Sequence, residues 1–184
     1  MNVRLPRSSK VSQTKRGLIR WLNPPSLQVI FKAPVEAQCI RILPQGWNNH
    51  MSMRAGLLLS TSACFVNDLA DSQRSYSSIW DNNAIGTGHA RGRLDSVQGW
   101  SSMHNAVGQY MQLTLSTVSS VCGAITVGRA DCCGQFVSSF KAQSSTDCTT
   151  FVDVDGGQVY GANWDQTTRV QVCVLVPLAI GLRC

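Results

Sequence analysis

The sequence has few charged residues, and one sign of charge is missing from its beginning. Only 14% of its 184 residues are charged, and no aspartate or glutamate precedes Glu36. Six of the sixteen cations lie in the first twenty residues, and the other ten balance the ten carboxylates. The net charge of +6 therefore belongs to a basic N-terminal segment and not to a binding face, so we expect no specific nucleic acid partner.

A long apolar run is also missing. The longest nearly unbroken one, Val170–Leu182, is interrupted by Gln171 and Pro177. A membrane-spanning helix takes about 18 or more apolar residues, so we expect no transmembrane segment. Segment 1–26 lacks the continuous apolar stretch of a secretory signal peptide, and its acid-free composition with arginine and serine fits a disordered leader or an organelle targeting segment.

Signatures of catalysis and metal binding are absent as well. There is no G-x-S-x-G, H-E-x-x-H or P-loop motif, and the three histidines show no ligand spacing. The run 86–88 lacks the third glycine of a dinucleotide-binding loop, and the run 153–156 lacks the closing glutamate of a calcium loop. We therefore expect a protein that is not an enzyme and has neither cofactor nor metal.

The eight cysteines are compatible with a disulfide framework, but other features of secreted proteins are missing. The sequence has no C-x-x-C pair and no N-x-S/T glycosylation site. Cys39, Cys122 and Cys173 lie in apolar segments, where a free thiol behaves as a small hydrophobe. Adjacent Cys132 and Cys133 are interpreted as two thiols in a turn, with a strained redox element as the alternative. We expect mostly reduced thiols; the compartment stays open, with an intracellular location favoured over an extracellular one.

Short β-rich runs separated by turns dominate the rest of the chain. Residues 109–115 alternate between polar and apolar side chains, and segments 121–127, 136–143 and 170–176 also have the composition of strands. No segment after residue 60 has a sustained helical period. This pattern predicts an all-β sandwich or barrel.

An internal repeat links the two ends of the chain. Segments 27–35 and 170–178 both read apolar-Gln-Val, four further residues, Pro and an aliphatic residue, at an offset of 143 residues. Two such segments would compete for one strand position. That competition would leave an unpaired edge and invite a strand-swapped homo-oligomer.

Several motifs, in order over most of the chain, resemble the discoidin domain family, which includes the C-type domains of coagulation factors V and VIII. They are Ile40-Arg41-Ile42 through Trp47, Ser52-Met53-Arg54, Arg93-Leu94-Asp95-Ser96, Gln98-Gly99-Trp100-Ser101, Gly108 to Leu115, Ile125 to Arg129, Val137 to Lys141 and Asp153 to Asn163. The resemblance implies an eight-stranded, galactose-binding-like jelly-roll β-sandwich.

The family's closing strands should follow residue 184 but occur at the start of this chain. We therefore expect a leader at 1–26, closing strands at 27–58, a linker at 59–74 and the main body of the sandwich at 75–184. Either the chain is circularly permuted, or it is a slice of a tandem array. Permutation is physically feasible because the termini of such sandwiches lie close together.

The resemblance implies a non-enzymatic binding module whose ligand site lies on loops at one end of the sandwich. By position these loops are Trp80–Ala90, Asp95–Trp100 and Arg129–Gln135. Sugar recognition needs an aromatic face for the ring and polar groups for the hydroxyls. The candidate residues for a carbohydrate or glycoprotein ligand are Trp80, Asp81, Asn82, Asn83, His89, Asp95, Arg129 and Asp131.

Two readings of function stay open at this point. In the first, the chain acts in adhesion or recognition through that loop site. In the second, it is a structural or docking subunit of a larger intracellular protein assembly, and the basic tail straps across a protein partner. The mixture of a tryptophan with polar side chains in the first loop favours recognition. The missing signal peptide and the strand-like cysteines favour the assembly.

Overall fold

A computed structural model describes residues 31–61 and 64–173 of the chain. Residues 1–30, which include the expected leader at 1–26, lie outside these ranges, as do residues 62–63 and 174–184. The strands are β1 (Val35–Asn48), β2 (Ser52–Ser60), β3 (Cys64–Asn67), β4 (Arg74–Tyr76), β5 (Trp100–Ser101), β6 (Met111–Val127), β7 (Phe136–Ser145), β8 (Val152–Asp153), β9 (Tyr160–Gly161) and β10 (Val170–Cys173). Three single 3-10 turns, Asp71–Gln73, Trp80–Asn82 and Val154–Gly156, are the only helical elements within the described ranges.

The longest strand, β6, organises the sandwich by changing partners along its length. Its first half pairs with β4 on one side and β1 on the other, and β1 in turn pairs with β7. Its second half pairs with β2 and β10, and β2 continues to β3. All of these pairings are antiparallel. The all-β jelly-roll expectation is confirmed, with ten strands in the described residues where eight were expected.

Strands β1 and β2, together called the β1–β2 hairpin (Val35–Ser60), lie inside the sheet and not at its edge. The main path of the sheet runs β3-β2-β6-β1-β7-β8. Strand β1 thus separates β6 from β7, and β2 separates β6 from β3. The hairpin therefore provides a hydrogen-bonded neighbour for β3, β6 and β7.

The core follows from the alternation of side chains. In the first half of β6, Met111, Leu113 and Leu115 are buried while Gln112 and Thr114 are partly exposed, as the period of two requires. Residues 121–127 are buried throughout, because both of their faces are covered. Burial of this apolar surface is the main driving force for closing the sandwich.

Two local predictions differ from the structure. The strands expected at 109–115 and 121–127 form one continuous strand, because the intervening Ser, Thr and Val residues contain no glycine or proline to break it. The segment 59–74, expected to be a linker, contains β3, which pairs with β2, and a 3-10 turn. The pairing of β3 with β2, from Leu57 opposite Asn67 to Ser60 opposite Cys64, gives this segment regular structure.

The cysteines also differ from the expectation of reduced thiols. Cys39 is paired with Cys148, Cys64 with Cys122, and Cys132 with its neighbour Cys133. The first pair ties β1 to the loop after β7 with a Cα–Cα distance of 5.2 Å. Sequence reasoning failed here because apolar surroundings do not distinguish a buried thiol from a buried disulfide. Among the described residues, no helix is long and apolar enough to span a bilayer.

Candidate functional site

Three loops meet at one end of the sandwich. They are the first loop (Trp80–Ala90), the second loop (Asp95–Trp100) and the third loop (Arg129–Gln135). The Ser101 N–H donates to the His89 carbonyl, and the Ala130 N–H donates to the Gln98 carbonyl. The Gln98 side chain, oriented to satisfy its neighbours, donates to the Gly88 carbonyl and accepts from Arg129 Nη2 at 3.1 Å. The loops therefore form one surface.

The first loop places its histidine through a side-chain amide. Asn83 Oδ1 accepts from the His89 backbone N–H at 2.8 Å and from His89 Nδ1 at 3.0 Å. Gly88 is needed beside this pair, because a Cβ at that position would collide with the Asn83 amide. With Nδ1 carrying the proton, Nε2 of the neutral His89 ring is left as a hydrogen-bond acceptor.

The third loop places an arginine and a glutamine. The Arg129 N–H donates to the Gln135 carbonyl at 2.9 Å, which closes the loop. The guanidinium makes a two-pronged ion pair with Asp131, at 2.5 Å from Nε and 2.9 Å from Nη2, and Nη1 donates to Gln135 Oε1 at 3.1 Å. Such paired contacts fix the plane of the guanidinium as well as its position.

The floor between the loops comes from the β1–β2 hairpin and from β5. Ser52 Oγ lies 2.7 Å from Ser101 Oγ and donates to Gln135 Oε1 at 3.0 Å. His50 lies at the hairpin turn, where its Nε2 is 2.8 Å from the Ser102 carbonyl. The His50 and Trp80 rings are nearly perpendicular, at an interplanar angle of 86° and a centroid distance of 5.2 Å, an arrangement that aromatic pairs favour.

These elements enclose a cleft of about 260 Å³, lined by His50, Trp80, His89, Ser101, Arg129 and Gln135. Trp80 is 44% exposed, so much of its ring is available to a ligand. Within the described residues, the Trp80 indole nitrogen, His89 Nε2 and Gln135 Nε2 have no hydrogen-bond partner in the protein. The cleft thus combines an aromatic wall with donors and an acceptor that make no hydrogen bond to the part of the chain that the structure describes.

The cleft carries little net charge. Partial burial and then the nearby Arg129 charge lower the pKa of His89 below its ordinary value, so the ring is neutral at pH 7. The hydrogen bond from Arg129 lowers the pKa of Asp131, so that carboxylate stays ionised and neutralises the guanidinium. A neutral histidine beside a closed ion pair suits an uncharged polar ligand.

The predicted site residues fall into three groups. Trp80, His89 and Arg129 line the cleft. Asn83 and Asp131 hold lining residues in place, and the Asp81 carboxylate lies 4.0 Å from His89 Nδ1. Asn82, at a positive φ, shapes the turn beside Trp80 and does not line the cleft, and Asp95 is paired with Arg93 at 2.9 Å instead.

Sequence reasoning missed His50, Ser101 and Gln135. His50 lies in the turn before β2 and Ser101 lies in β5, and the pairing of β2 with β5 brings the two residues together. Gln135 could have been included, because it ends the third loop that the resemblance pointed to. Among the described residues, no group of three or more His, Cys, Asp or Glu side chains is arranged to hold a metal ion.

Comparison with known proteins agrees with this architecture. Residues 73–177 match the F5/8 type C domain. The chain belongs to the F5/8 type C domain family. Members of this family are in general non-enzymatic binding modules.

Two curated relatives are similar to this chain. Mouse lactadherin is 30% identical over 162 residues, which cover 78% of this chain and 35% of the relative. The human EGF-like repeat and discoidin I-like domain-containing protein 3 is 34% identical over 158 residues, which cover 76% of this chain and 33% of the relative. The chain thus spans about a third of the length of these relatives. No solved structure matches it.

Proposed function

We propose that this F5/8 type C domain is a recognition module that binds one sugar unit of a carbohydrate or glycoprotein ligand in the cleft. The observation that carries the proposal is the half-exposed Trp80 ring beside polar groups that have no hydrogen-bond partner among residues 31–61 and 64–173. A pyranose ring presents C–H groups on its faces and hydroxyls at its rim. An aromatic wall with hydrogen-bonding groups at right angles to it is the arrangement that such a ring needs.

The polar groups of the cleft can both accept hydrogen bonds from hydroxyls and donate hydrogen bonds to them. His89 Nε2 accepts from a hydroxyl, whereas Gln135 Nε2 and the Trp80 indole N–H donate to one. His89 and Gln135 are themselves held by Asn83 and by Ser52, so little conformational entropy is lost when a ligand binds. Because Asp131 neutralises Arg129, a neutral sugar fits better than a carboxylate-bearing one.

A glycan array probed with the full-length chain, with and without calcium, tests this function. We expect selective binding of neutral glycans, and an affinity loss of about tenfold in Trp80→Ala, the equivalent of about 1.4 kcal/mol for a lost aromatic wall. Trp164→Ala is the matched control, because Trp164 is 51% exposed and does not line the cleft. A blank array from folded protein, or equal losses in both variants, would overturn the proposal.

A second candidate function is docking to a protein partner. Val97 is 71% exposed and Trp164 is 51% exposed. Both flank the third loop, since the neighbouring Gln98 and Gln166 hydrogen-bond to it. Exposed apolar side chains around a loop surface are typical of protein interfaces. If Trp164→Ala abolishes capture of a protein ligand while Trp80→Ala does not, the docking function is favoured. The basic tail, which was expected to strap across a protein partner, lies outside the described residues.

We also propose that the β1–β2 hairpin can close the sandwich of a second copy of the chain. Only residues 61–63 separate it from β3, so exchange would preserve the strand ladders and alter this one connection. The alignment with mouse lactadherin covers 78% of the chain, which is a larger share of the chain than residues 73–184 make up. Part of the segment before residue 73 therefore aligns in the same order as in that relative.

The disulfide between the hairpin and the rest of the sandwich provides the test of exchange. Cys39 lies in β1 and Cys148 in the loop after β7, so exchange would turn this bond into a link between chains. We expect a reductant-sensitive dimer on gels of concentrated protein, absent from Cys39→Ser. A strictly monomeric band at every concentration would contradict the exchange and leave sugar binding untouched.

A further inference from the structure

The third loop of the cleft contains an unusual pair of bonded neighbours. Cys132 and Cys133 are adjacent in sequence, with a Cα–Cα distance of 3.7 Å, and are joined by a disulfide. The bond closes a small ring that includes the peptide group between them. This ring sits between Arg129 and Gln135, which both line the cleft.

This disulfide is the most accessible of the three in the described residues. Cys133 is exposed and Cys132 is partly exposed. Each of the other two disulfides has one fully buried cysteine, Cys39 or Cys122. Since thiol–disulfide exchange requires a thiolate to reach a sulfur atom, a reductant in solution meets the Cys132–Cys133 bond first.

The backbone around the pair is held by side-chain amides from two other segments. Gln166 Nε2 donates to the carbonyls of Cys132 and Arg129, at 2.6 and 2.9 Å, and Gln166 Oε1 accepts from the Gly134 N–H at 2.7 Å. Asn49 Nδ2 donates to the Cys133 carbonyl at 2.8 Å. These bonds depend on the carbonyl directions that the ring imposes, so the ring and the clamp form one unit.

The same clamp connects the ring to the cleft. The Arg129 carbonyl bonded by Gln166 belongs to the residue whose guanidinium lines the cleft, and Asn49 is next to the lining residue His50. Hydrogen bonds of at most 2.9 Å therefore connect the Cys132 carbonyl, in the peptide between the two cysteines, to Arg129 through Gln166, and connect the Cys133 carbonyl, in the next peptide, to the residue beside His50.

We propose that Cys132–Cys133 is a thiol–disulfide exchange site for small dithiols, and that its opening loosens the third loop. A thiolate of the dithiol attacks the exposed Cys133 sulfur and forms a mixed disulfide, while the Cys132 sulfur leaves as a thiolate and takes up a proton. The second thiol of the reagent then attacks the reagent's other sulfur atom in the mixed disulfide. The Cys133 sulfur leaves as a thiolate and takes up a proton. The protein disulfide gains two electrons and two protons, and the dithiol is oxidised to a cyclic disulfide.

Reduction removes the ring constraint on the backbone of the third loop. The loop then samples more conformations, and Arg129 and Gln135 lose their fixed positions. The exchange site itself is independent of sugar binding. Its effect on a ligand rests on the proposed function, through the lower affinity that follows when binding must first order the loop.

Differential alkylation of the full-length wild-type protein tests which bond opens first. The protein is treated with increasing dithiothreitol, alkylated and analysed by mass spectrometry of its peptides. We expect the peptide that contains residues 132 and 133 to gain two alkyl groups at dithiothreitol concentrations about tenfold lower than those that label Cys39 or Cys64. Simultaneous or later labelling of residues 132 and 133 would overturn the proposal.

Limited trypsin digestion of the native protein tests whether the loop loosens. The Arg129 side chain is only 12% exposed and is held by Asp131, so cleavage after it reports opening of the loop. We expect cleavage after Arg129 to be about tenfold faster after mild reduction, with cleavage after Arg93 as the internal reference. An unchanged ratio of the two rates would overturn the loosening.

The double variant Cys132→Ser/Cys133→Ser separates loss of the bond from other effects of the reagent. It should show the fast cleavage without reductant and no further change when reductant is added. A slow rate like that of oxidised wild type would contradict the role of the bond. On the glycan array, unchanged binding by this variant would refute only the link to the ligand, whereas a blank array for oxidised wild type would refute the sugar-binding function.

Discussion

A buried arginine offers the most quantitative test of what holds the loop end of the sandwich in place. The Arg74 side chain has no exposed surface. Its guanidinium donates to the carbonyls of Leu69, Ala55 and Gly92 at 2.8 to 3.2 Å, and to Asp68 Oδ1 at 2.8 Å. Ala55 belongs to β2, so this one side chain connects the β1–β2 hairpin to two segments that follow it.

The expected cost of removing this side chain follows from the groups it would leave behind. In Arg74→Met, three carbonyls lose a donor, and Asp68, whose side chain is 21% exposed, loses its closest cation. Breaking a buried ion pair on one side costs about 3–5 kcal/mol. Burial lowers the pKa of Arg74, and the nearby Tyr76 and Asp68 oppose this effect.

Urea unfolding and thermal melts measure this cost. A loss of about 3–5 kcal/mol corresponds to a melting temperature about 6–20 °C lower in a chain of this size. Arg93→Met is the matched control, because Arg93 also faces Asp68, at 3.8 Å, but is 38% exposed and should cost about 1 kcal/mol or less. A loss below about 1 kcal/mol in Arg74→Met, or equal losses in the two variants, would refute the reasoning.

Three further predictions concern the hairpin, a disulfide and the cleft. Residues 59–184 without the hairpin should not unfold cooperatively, because β6, β7 and β3 lose the strands between them; a sharp, undiminished melting transition would contradict the proposed division of the chain. Cys39→Ser/Cys148→Ser should lower the free energy of unfolding in urea by about 2–4 kcal/mol, since the bond spans 109 residues, and unchanged stability would argue against this pairing. Sugar affinity should stay level down to about pH 6.5 and fall below it, because the lowered pKa keeps His89 Nε2 an acceptor until then. In Arg129→Gln that pKa should rise, as a histidine NMR titration would show; a fall in affinity that begins well above pH 7 in the wild type would contradict this assignment.

The fold could be predicted from the sequence because its signals are local. Polar and apolar residues alternate in 109–115 because only one face of that strand is covered. Residues 121–127 are mostly apolar because both faces are covered there. The join between them was not predictable, since the exposed residues 116–118 carry no core signal. The buried residues before and after a polar stretch do not reveal whether that stretch forms a turn or continues as a strand.

The candidate site was only partly predictable, for a different reason. Trp80, His89 and Arg129 lie in two loops whose composition is visible in the sequence. The residues that orient the site, His50, Ser101 and Gln166, come from other segments, and their roles depend on pairings between distant parts of the chain. The sequence does not decide the direction of Asp95, because a carboxylate in a loop can turn either to the cleft or to a neighbouring arginine, as it does here to Arg93.

The third loop is held both by a disulfide and by side-chain amides from other segments. A binding cleft built from loops must hold its side chains still without a regular ladder, and each fixed residue costs backbone entropy. Here Gln166 supplies three hydrogen bonds to one loop, and the Cys132–Cys133 ring restricts the peptide between them. An amide clamp is insensitive to redox conditions and a disulfide is not. A loop that uses both has one constraint that persists and one that a dithiol can remove, which makes the position of Arg129 dependent on the surrounding thiol chemistry.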